Sequence, residues 1–291
     1  MSDPIKIVTR IPPLPTRADN AHKGDVGRIV IVGGRLDDIG MVGAPALAAN
    51  AALRCGSGLV QVATGAAAQA TVGLLAPCAT SRALFADADT SLASLAVQFG
   101  ADVVAIGPGL DPRIDAQQIN ELVSKFSGGI VIDADGLNLL ASMGSWEAAW
   151  PHQIVLTPHP GEMRRLLDGW RVQTDADDRQ HIAIRLAQAT NAIVVLKGAG
   201  TVVTDGQRLY INQTGNSGMA TAGAGDVLTG VIAAFLGQQM LPFEAAVLAV
   251  YVHGLAGDIV AEEVGRLSVT ATDLIEFLPD ALCDVAAEPG D

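Results

Sequence analysis

The stretch with the clearest chemical potential is Asn216–Asp226, NSGMATAGAGD, which leads directly into the apolar segment 227–236, a predicted helix. Gly223 and Gly225 permit turn conformations that other residues avoid, and the first turn of a helix adds unpaired N–H groups and the positive end of its dipole. These features predict a seat for an anion such as phosphate. Asp226 lowers phosphate affinity unless it accepts a proton or binds a metal; the alternative role is a stabilising acid at a helix N-terminus.

The elements that would position this stretch alternate between strand and helix patterns. Short apolar runs predict buried strands, and segments of helical composition separate them. The predicted strands are 28–34, 59–64, 102–106, 129–135, 152–157 and 192–197, and the predicted helices between them are 43–55, 114–126 and 177–190. This alternation predicts an α/β fold with a mostly parallel, doubly wound sheet and helices on both faces. Ligands would bind at the carboxyl ends of its strands.

Three further segments complete the predicted architecture. Asp205-Gly206 predicts a hairpin between 201–204 and 208–212, which would close one edge of the sheet with antiparallel strands. A long buried helix is predicted to start at 241–244. The proline-rich segment 11–15 predicts an extended N-terminal arm, residues 1–22, that packs on the body or on a neighbouring copy. No composition break divides the chain, so we expect a single domain over residues 1–291.

Composition and charge exclude several classes of function. The 291 residues include 18 Lys and Arg against 31 Asp and Glu, a formal charge of −13, so a general electrostatic grip on nucleic acid or an anionic membrane is not expected. Charged residues interrupt the apolar stretch 243–264, and the N-terminus lacks the apolar core of a signal sequence, which predicts a cytoplasmic protein. The three scattered cysteines predict neither disulfides nor a zinc site, and we expect buried or unreactive thiols.

The order of the motifs points to a family. The chain has no Walker-type motif and no dinucleotide-binding glycine trio after its first predicted strand. A late Gly-Ala-Gly-Asp turn after a long α/β run resembles the ribokinase-like superfamily. Taken together, six motifs resemble the ADP- or ATP-dependent NAD(P)H-hydrate dehydratase family over residues 23–278: KGDVG at 23–27, IGPGL at 106–110, DAD at 133–135 with NLL at 138–140, TPHPGE at 157–162, LKGAGT at 196–201, and Asn216–Asp226. Members often carry Gly-Met-Gly-Asp where this chain has Gly-Ala-Gly-Asp.

The resemblance implies a repair reaction on nicotinamide cofactors hydrated across the C5–C6 bond. An ADP- or ATP-derived phosphoryl group would be transferred to the C6 hydroxyl, and phosphate would then be eliminated to give NADH or NADPH. We expect ADP as the phosphoryl donor, Mg²⁺ bridging its phosphates, and AMP as a product. The resemblance also implies a homotetramer and a functional link to a separate NAD(P)H-hydrate epimerase. No epimerase domain precedes the motifs, so we expect that activity to be absent from this chain.

The resemblance assigns roles to residues inside the matching motifs. Asp226 would accept the proton of the attacking hydroxyl, and the N–H groups of 222–225 would hold the charge on the phosphoryl group. The implied nucleotide contacts are Lys197, Gly198, Ala199, Gly200, Thr201 and Gly225. The implied contacts to the hydrated dinucleotide are Ala44, Gly109, His159 and Asp226. No protein ligands of a metal are implied.

Each assignment has a rival reading. His159 lies between two prolines and would otherwise satisfy backbone groups in a tight loop, and Lys197 would otherwise be a solvent-reaching lysine at a strand end. Asp133 and Asp135 either cap a helix or order water around magnesium. We expect a cap from Glu162 and a role for Asn216 in steadying the turn.

Two other functions use the same residues. A ribokinase-like kinase acting on a vitamin precursor or a sugar would use Asp226 but release a phosphorylated product. A non-catalytic nucleotide-binding regulator would lose nothing when Asp226 is replaced. The sequence does not distinguish NADH hydrate from NADPH hydrate.

Overall fold

The computed structural model describes residues 4–36, 38–85, 90–144, 150, 153–174 and 178–287. Its strands form one ten-stranded sheet with the order β1-β10-β9-β8-β7-β6-β5-β2-β3-β4. All neighbours from β8 through β7, β6, β5, β2 and β3 to β4 are parallel, and only β9 pairs antiparallel, with β8 and β10. The predicted mostly parallel α/β sheet is confirmed.

The strand bounds follow the apolar runs closely where a strand is buried on both faces. The strands are β1 Lys6–Ile7, β2 Arg28–Val32, β3 Leu59–Thr64, β4 Thr80–Ala83, β5 Val103–Ile106, β6 Gly129–Ile132, β7 Ile154–Leu156, β8 Ile193–Leu196, β9 Val202–Thr204 and β10 Arg208–Ile211. The start of the strand expected at 152 lies outside the described residues. The strand expected over 129–135 ends earlier, at Ile132. Ala134 already has a φ of +47° and opens a helix there.

The hairpin at 205–206 forms as predicted, but it is not the edge of the sheet. The short strand β1 pairs with β10 in parallel and lies outside it. The N-terminal arm packs on the body of the protein: Ile11 and Leu14 contact the main hydrophobic cluster, and the Arg17 guanidinium donates a hydrogen bond to the carbonyl of Gly56.

Ten α-helices lie within the described residues. They are α1 Gly43–Arg54, α2 Gln69–Leu75, α3 Leu92–Phe99, α4 Ala116–Lys125, α5 Ala134–Ser142, α6 Pro160–Trp170, α7 Arg179–Thr190, α8 Ala224–Gly237, α9 Pro242–Val264 and α10 Ala271–Ala287. Asp178 caps α7, whereas 177, the first residue of the helix predicted there, lies outside the described residues. The sequence patterns predicted no helix at α2, α3 or α10, and they indicated α5 and α6 only through the helix caps considered for Asp133, Asp135 and Glu162.

Alternating strand residues build two cores, one on each face of the sheet. Ile29 and Ile31 of β2 pack into a cluster with α1, α8, α9 and α10, whereas Val30 and Val32 pack into a cluster with α3 to α7. On the first face α1 lies very close to α8: a methyl group at Gly230 would lie 2.1 Å from the Ala48 carbonyl oxygen. Small residues therefore fix the position of α8 against the sheet.

Helix α9 is long and apolar enough to cross a membrane by length and composition, with a mean hydropathy of 1.5 in its most apolar window. In this fold 67% of that window is buried inside the protein, where α9 packs against α8 and α10. Its apolar composition is therefore accounted for by burial in the core. The thiols differ from one another: Cys55 is buried, which raises its pKa, whereas Cys78 and Cys283 are exposed, so for those two only the alternative of an unreactive thiol stays a prediction.

Candidate active site

The predicted anion seat lies at the N-terminus of α8, at the carboxyl edge of the sheet. Gly223 caps this helix with a φ of +90°, and a methyl group there would lie 2.6 Å from Leu47 Cδ1, so only glycine fits. The first hydrogen bond of the helix runs from the Val227 N–H to the Gly223 carbonyl. The N–H groups of Gly225 and Asp226 therefore precede the helical ladder and can serve a ligand.

Three charged side chains, Asp133, Lys197 and Asp226, interact beside this turn. Asp133 follows β6 and Lys197 follows β8, so the parallel strands bring both to the same edge. The Lys197 ammonium lies 2.5 Å from Asp133 Oδ1, and the other Asp133 oxygen accepts a hydrogen bond from Thr229 of α8 at 2.8 Å. Gly225 is in the same group, because a methyl group there would lie 3.4 Å from the Lys197 ammonium nitrogen.

Asp226 has a strongly raised pKa in this setting. Burial is the main cause, the negative charge of Asp133 adds to it, and the positive charge of Lys197 opposes both, giving a pKa of about 7. A carboxyl group whose pKa lies near neutrality can accept a proton and release it again at physiological pH. The geometry therefore suits Asp226 to act as a general base next to a phosphate seat.

The structure gives the Asp133 side chain a role other than the helix cap considered from the sequence. It occupies the N-cap position of α5 but makes no capping hydrogen bond with its side chain. Its carboxylate is 1% exposed and is bound by Lys197 and Thr229 instead. Thr229 was missed altogether, since a threonine inside an apolar helix carries no distinctive sequence signal. Asp135, by contrast, has a structural partner, because its carboxylate accepts from the Leu110 N–H at 3.2 Å.

His159 and Glu162 form a capping box at the start of α6. The His159 Nδ1 accepts from the N–H groups of Gly161 and Glu162 at 2.9 and 3.3 Å, and Glu162 accepts from the His159 N–H at 2.7 Å. The cap predicted for Glu162 is therefore present, and His159 does satisfy backbone groups in its loop. The imidazole is also half-exposed toward solvent. Glu162 links it to the charged cluster, since the Glu162 carboxylate lies 3.9 Å from the Lys197 ammonium.

The segment Lys197–Thr201 forms a partly exposed loop at the end of β8. Arg179, the first residue of α7, braces it by donating to the carbonyls of Lys197 at 3.1 Å and Ala199 at 2.5 Å. The Gly198 backbone, with a φ of +131°, passes so close that a methyl group would lie 3.0 Å from this guanidinium. The exposed backbone of Gly198, Ala199 and Gly200 is thereby held in one shape. Sequence reasoning missed Arg179, which belongs to none of the recognised motifs.

Ala44 and Gly109 form a second group, on either side of Met41. The Ala44 N–H donates to the Met41 carbonyl at 3.3 Å, and a methyl group at Gly109 would lie 2.6 Å from Met41 Cβ. Both residues lie where β2 and β5 are neighbours, the point at which the strand order reverses and where such sheets bind ligands. Gly107 connects this group to the charged cluster, because it packs directly against the Asp133 carbonyl.

The donor set around the turn suits a metal carried by phosphates. No group of three or more His, Cys, Asp or Glu side chains that could hold a metal occurs within the described ranges. The Asp133 oxygens are engaged by Lys197 and Thr229, so Asp226 is the carboxylate available at the turn. Mg²⁺ needs only one or two protein carboxylates when nucleotide phosphates and water supply its other ligands.

Comparisons with known proteins agree with the geometry. The family model described as NAD(P)H-hydrate dehydratase matches residues 29–280. The protein named bifunctional NAD(P)H-hydrate repair enzyme Nnr from Moorella thermoacetica is 44% identical over 94% of this chain and 53% of its own length. Its counterpart of the same name from Escherichia coli is 42% identical over 91% of this chain and 49% of its own. The chain thus spans about half the length of the curated relatives it matches.

Solved structures show the same relationship. The ADP/ATP-dependent NAD(P)H-hydrate dehydratase from Bacillus subtilis, co-crystallised with ATP and Mg²⁺, has a TM-score of 0.76 and 28% identity, with 94% of this chain and 95% of that chain covered. Ribokinase from Thermotoga maritima, at 14% identity and a TM-score of 0.53 over 87% of this chain and 99% of that chain, shares the fold alone. The resemblance that the motifs suggested is confirmed.

Proposed function

This chain belongs to the NAD(P)H-hydrate dehydratase family, and from that premise we propose that it is an ADP-dependent (S)-NAD(P)H-hydrate dehydratase. It converts hydrated NADH or NADPH and ADP into the reduced cofactor, AMP and phosphate. The observation that carries the proposal is the half-buried Asp226 in the first turn of α8, whose pKa of about 7 places a proton acceptor beside a backbone anion seat. The Bacillus subtilis relative is an ADP/ATP-dependent enzyme, so the similarity to it does not choose between the two nucleotides.

The chemistry explains why a kinase-like site would catalyse a dehydration. Hydroxide is a poor leaving group, but a phosphorylated C6 hydroxyl departs as phosphate. The lone pair of the ring nitrogen expels it as the C6–O bond breaks, and loss of the C5 proton then restores the C5–C6 double bond. One phosphoryl group is consumed for each cofactor repaired.

The residues of the site divide this work between them. Asp226 accepts the proton of the C6 hydroxyl as that oxygen attacks, and the N–H groups of 222–225 bind the phosphoryl oxygens. Lys197 keeps the buried Asp133 neutralised and places a positive charge beside Gly225. Asp226 would be the carboxylate that holds Mg²⁺ at the turn, and the ion would supply positive charge to the nucleotide phosphates.

The remaining assignments complete the proposed complex. The nucleotide contacts lie on Lys197–Thr201 and Gly225, and the hydrated dinucleotide contacts Ala44, Gly109 and His159. A homotetramer acting beside a separate epimerase remains a prediction from the family, and a cytoplasmic location remains a prediction from the composition of the chain.

The decisive experiment is a direct assay of repair. Purified protein is mixed with acid-hydrated NADH, Mg²⁺ and either ADP or ATP, and the absorbance of reduced nicotinamide is followed. We expect a nucleotide-dependent rise, larger with ADP, and equimolar AMP and phosphate. If no absorbance appears while nucleotide is consumed on a panel of vitamins or sugars, the dehydratase is rejected and the kinase alternative stands.

The pKa of Asp226 predicts the pH dependence of this assay. The ionised carboxylate is the active form, and it becomes populated as the pH rises through about 7. We therefore expect kcat/KM to increase about tenfold per pH unit below that value and to level off above it. A profile that is flat from pH 5 to pH 8 would show that Asp226 is not the titrating base.

A further inference from the structure

One polar face of helix α9 has no role in the reaction proposed above. It comprises His253, Gly254, Gly257 and Asp258, and we name it the α9 face. Residues with these spacings lie on one side of a helix, so the four are neighbours. Every one of them contacts the segment 214–224, which leads into the phosphate-binding turn. The α9 face therefore supports the approach to that turn.

Asp258 holds the segment through two hydrogen bonds. Its Oδ2 accepts from the Gly215 N–H at 2.7 Å, and its Oδ1 accepts from the Asn216 side-chain amide at 2.9 Å. That amide also donates to the Gly257 carbonyl at 2.9 Å, while the Asn216 side-chain oxygen accepts from the Gly218 N–H at 2.9 Å. Asn216 is thereby bonded to helix α9 on one side and to its own turn on the other.

The two glycines of the α9 face allow this close approach. A methyl group at Gly254 would lie 2.3 Å from Thr214 Oγ1, and one at Gly257 would lie 2.3 Å from Met219 Sδ. The methyl group at Gly254 would also lie 2.8 Å from the Thr214 carbonyl, so this position does not accept a larger residue unless the segment moves, whereas at Gly257 the Met219 side chain would have to move. The backbone of the segment therefore lies directly against α9 at Gly254.

His253 contacts the far end of the same segment. It is buried, its Nε2 has no hydrogen-bond partner among the described residues, and the backbone of Ala224, the first residue of α8, lies close enough to raise its pKa against the effect of burial. Burial lowers its pKa to about 4, so the imidazole is neutral near pH 7 and adds no charge beneath the turn. The α9 face thus contacts both the start of the segment, at 214–219, and its end, at Ala224.

We propose that Asp258 is a positioning residue of the phosphate-binding turn, holding Gly215 and Asn216 so that the N–H groups of 222–225 converge on the terminal phosphate of the nucleotide. The claim rests on the proposed function. A carboxylate is required because two donors point at its two oxygens, whereas an amide would match only one of them. Asp258 touches no reacting atom and acts through the backbone that it orients.

The test compares three variants of the full-length chain. Asp258→Ala removes both acceptors, and Asp258→Asn keeps the volume but loses one. Glu262→Gln makes the same kind of change at an exposed position on the same helix and serves as the control. Amide hydrogen exchange over 214–226 reports the position of the segment, and calorimetric Kd values for AMP, ADP and ATP with Mg²⁺ report the phosphate seat.

We expect exchange over 214–226 to accelerate about tenfold or more in both Asp258 variants, with the sheet strands unchanged. The Kd for ADP should rise about tenfold in Asp258→Ala, while that for AMP stays within about twofold, because only the terminal phosphate loses its seat. Glu262→Gln should resemble the wild type in every measurement.

Two results would overturn the proposal. One is unchanged exchange over 214–226 in Asp258→Ala, and the other is an equal acceleration in the sheet strands, which indicates general destabilisation. Failure of the repair assay with the wild-type protein is a separate outcome. It would reject the dehydratase, while the exchange data alone would still show whether Asp258 positions the turn.

Discussion

Replacing Asp226 with asparagine should reduce kcat by about 10³-fold and leave the Kd for ADP unchanged or tighter. General base catalysis contributes about 10² to 10⁴ in rate, and the amide cannot accept the hydroxyl proton. The backbone seat does not depend on this side chain, and removing a negative charge beside it favours binding of a phosphate. Single-turnover kinetics and calorimetry measure the two quantities separately.

The same variant should be more stable than the wild type at neutral and alkaline pH. The folded pKa of Asp226, about 7, lies above its ordinary value of 3.8, so ionisation costs folding free energy. That cost is absent below about pH 4, grows as the pH rises, and is complete above about pH 7. We expect Asp226→Asn to gain about 1–3 kcal/mol at pH 8 and almost nothing at pH 4.

Asp168→Asn is the matched control, because Asp168 is exposed on helix α6. It should change neither kcat nor the pH dependence of unfolding. If Asp226→Asn kept wild-type kcat, Asp226 would not be the base. If its stability gain were the same at pH 4 and pH 8, the raised pKa would be excluded as the cause.

Replacing Lys197 with methionine should give the largest loss of stability at the site. The change leaves the Asp133 carboxylate, 1% exposed, without the ammonium that lies 2.5 Å away. Removing one partner of a buried ion pair typically costs about 3–5 kcal/mol. Because the positive charge of Lys197 also lowers the pKa of Asp226, its loss should move the rising limb of the pH profile to higher pH.

A second substitution separates charge from packing. The double variant Lys197→Met with Asp133→Asn removes the uncompensated carboxylate and should recover most of the lost free energy of unfolding. Lys125→Met is the control, since Lys125 forms an exposed pair with Glu121 at 2.7 Å and should cost less than about 1 kcal/mol. Equal losses in Lys197→Met and Lys125→Met, measured by urea denaturation, would contradict a buried pair.

The sequence predicted the strands that are largely buried and missed two strands at the edges of the sheet. The run at 59–64 became strand β3 with the predicted bounds, because four of its six residues are buried and its apolar β-branched residues favour an extended strand. Strands β1 and β4 lie at the two edges of the sheet, and the exposed β1 and the polar β4 carry no such signal. The sheet therefore proved two strands wider than the patterns indicated.

The sequence by itself determined the chemistry of the turn. Gly223, Gly225 and Asp226 lie within four consecutive residues, so one short motif specifies both the backbone conformation of the turn and its carboxylate. The order of the other motifs identified the family, and the apolar runs predicted the sheet that carries them.

Only the tertiary structure decided which side chains surround Asp226. Asp133 and Lys197 are 64 residues apart in the chain and meet because parallel strands end at the same edge of the sheet, and Thr229 joins them from α8. The pKa of Asp226 also depends on this assembly. The desolvation of Asp226 and the opposing charges of Asp133 and Lys197 arise only when the chain is folded. A local pattern of residue types therefore cannot predict this pKa.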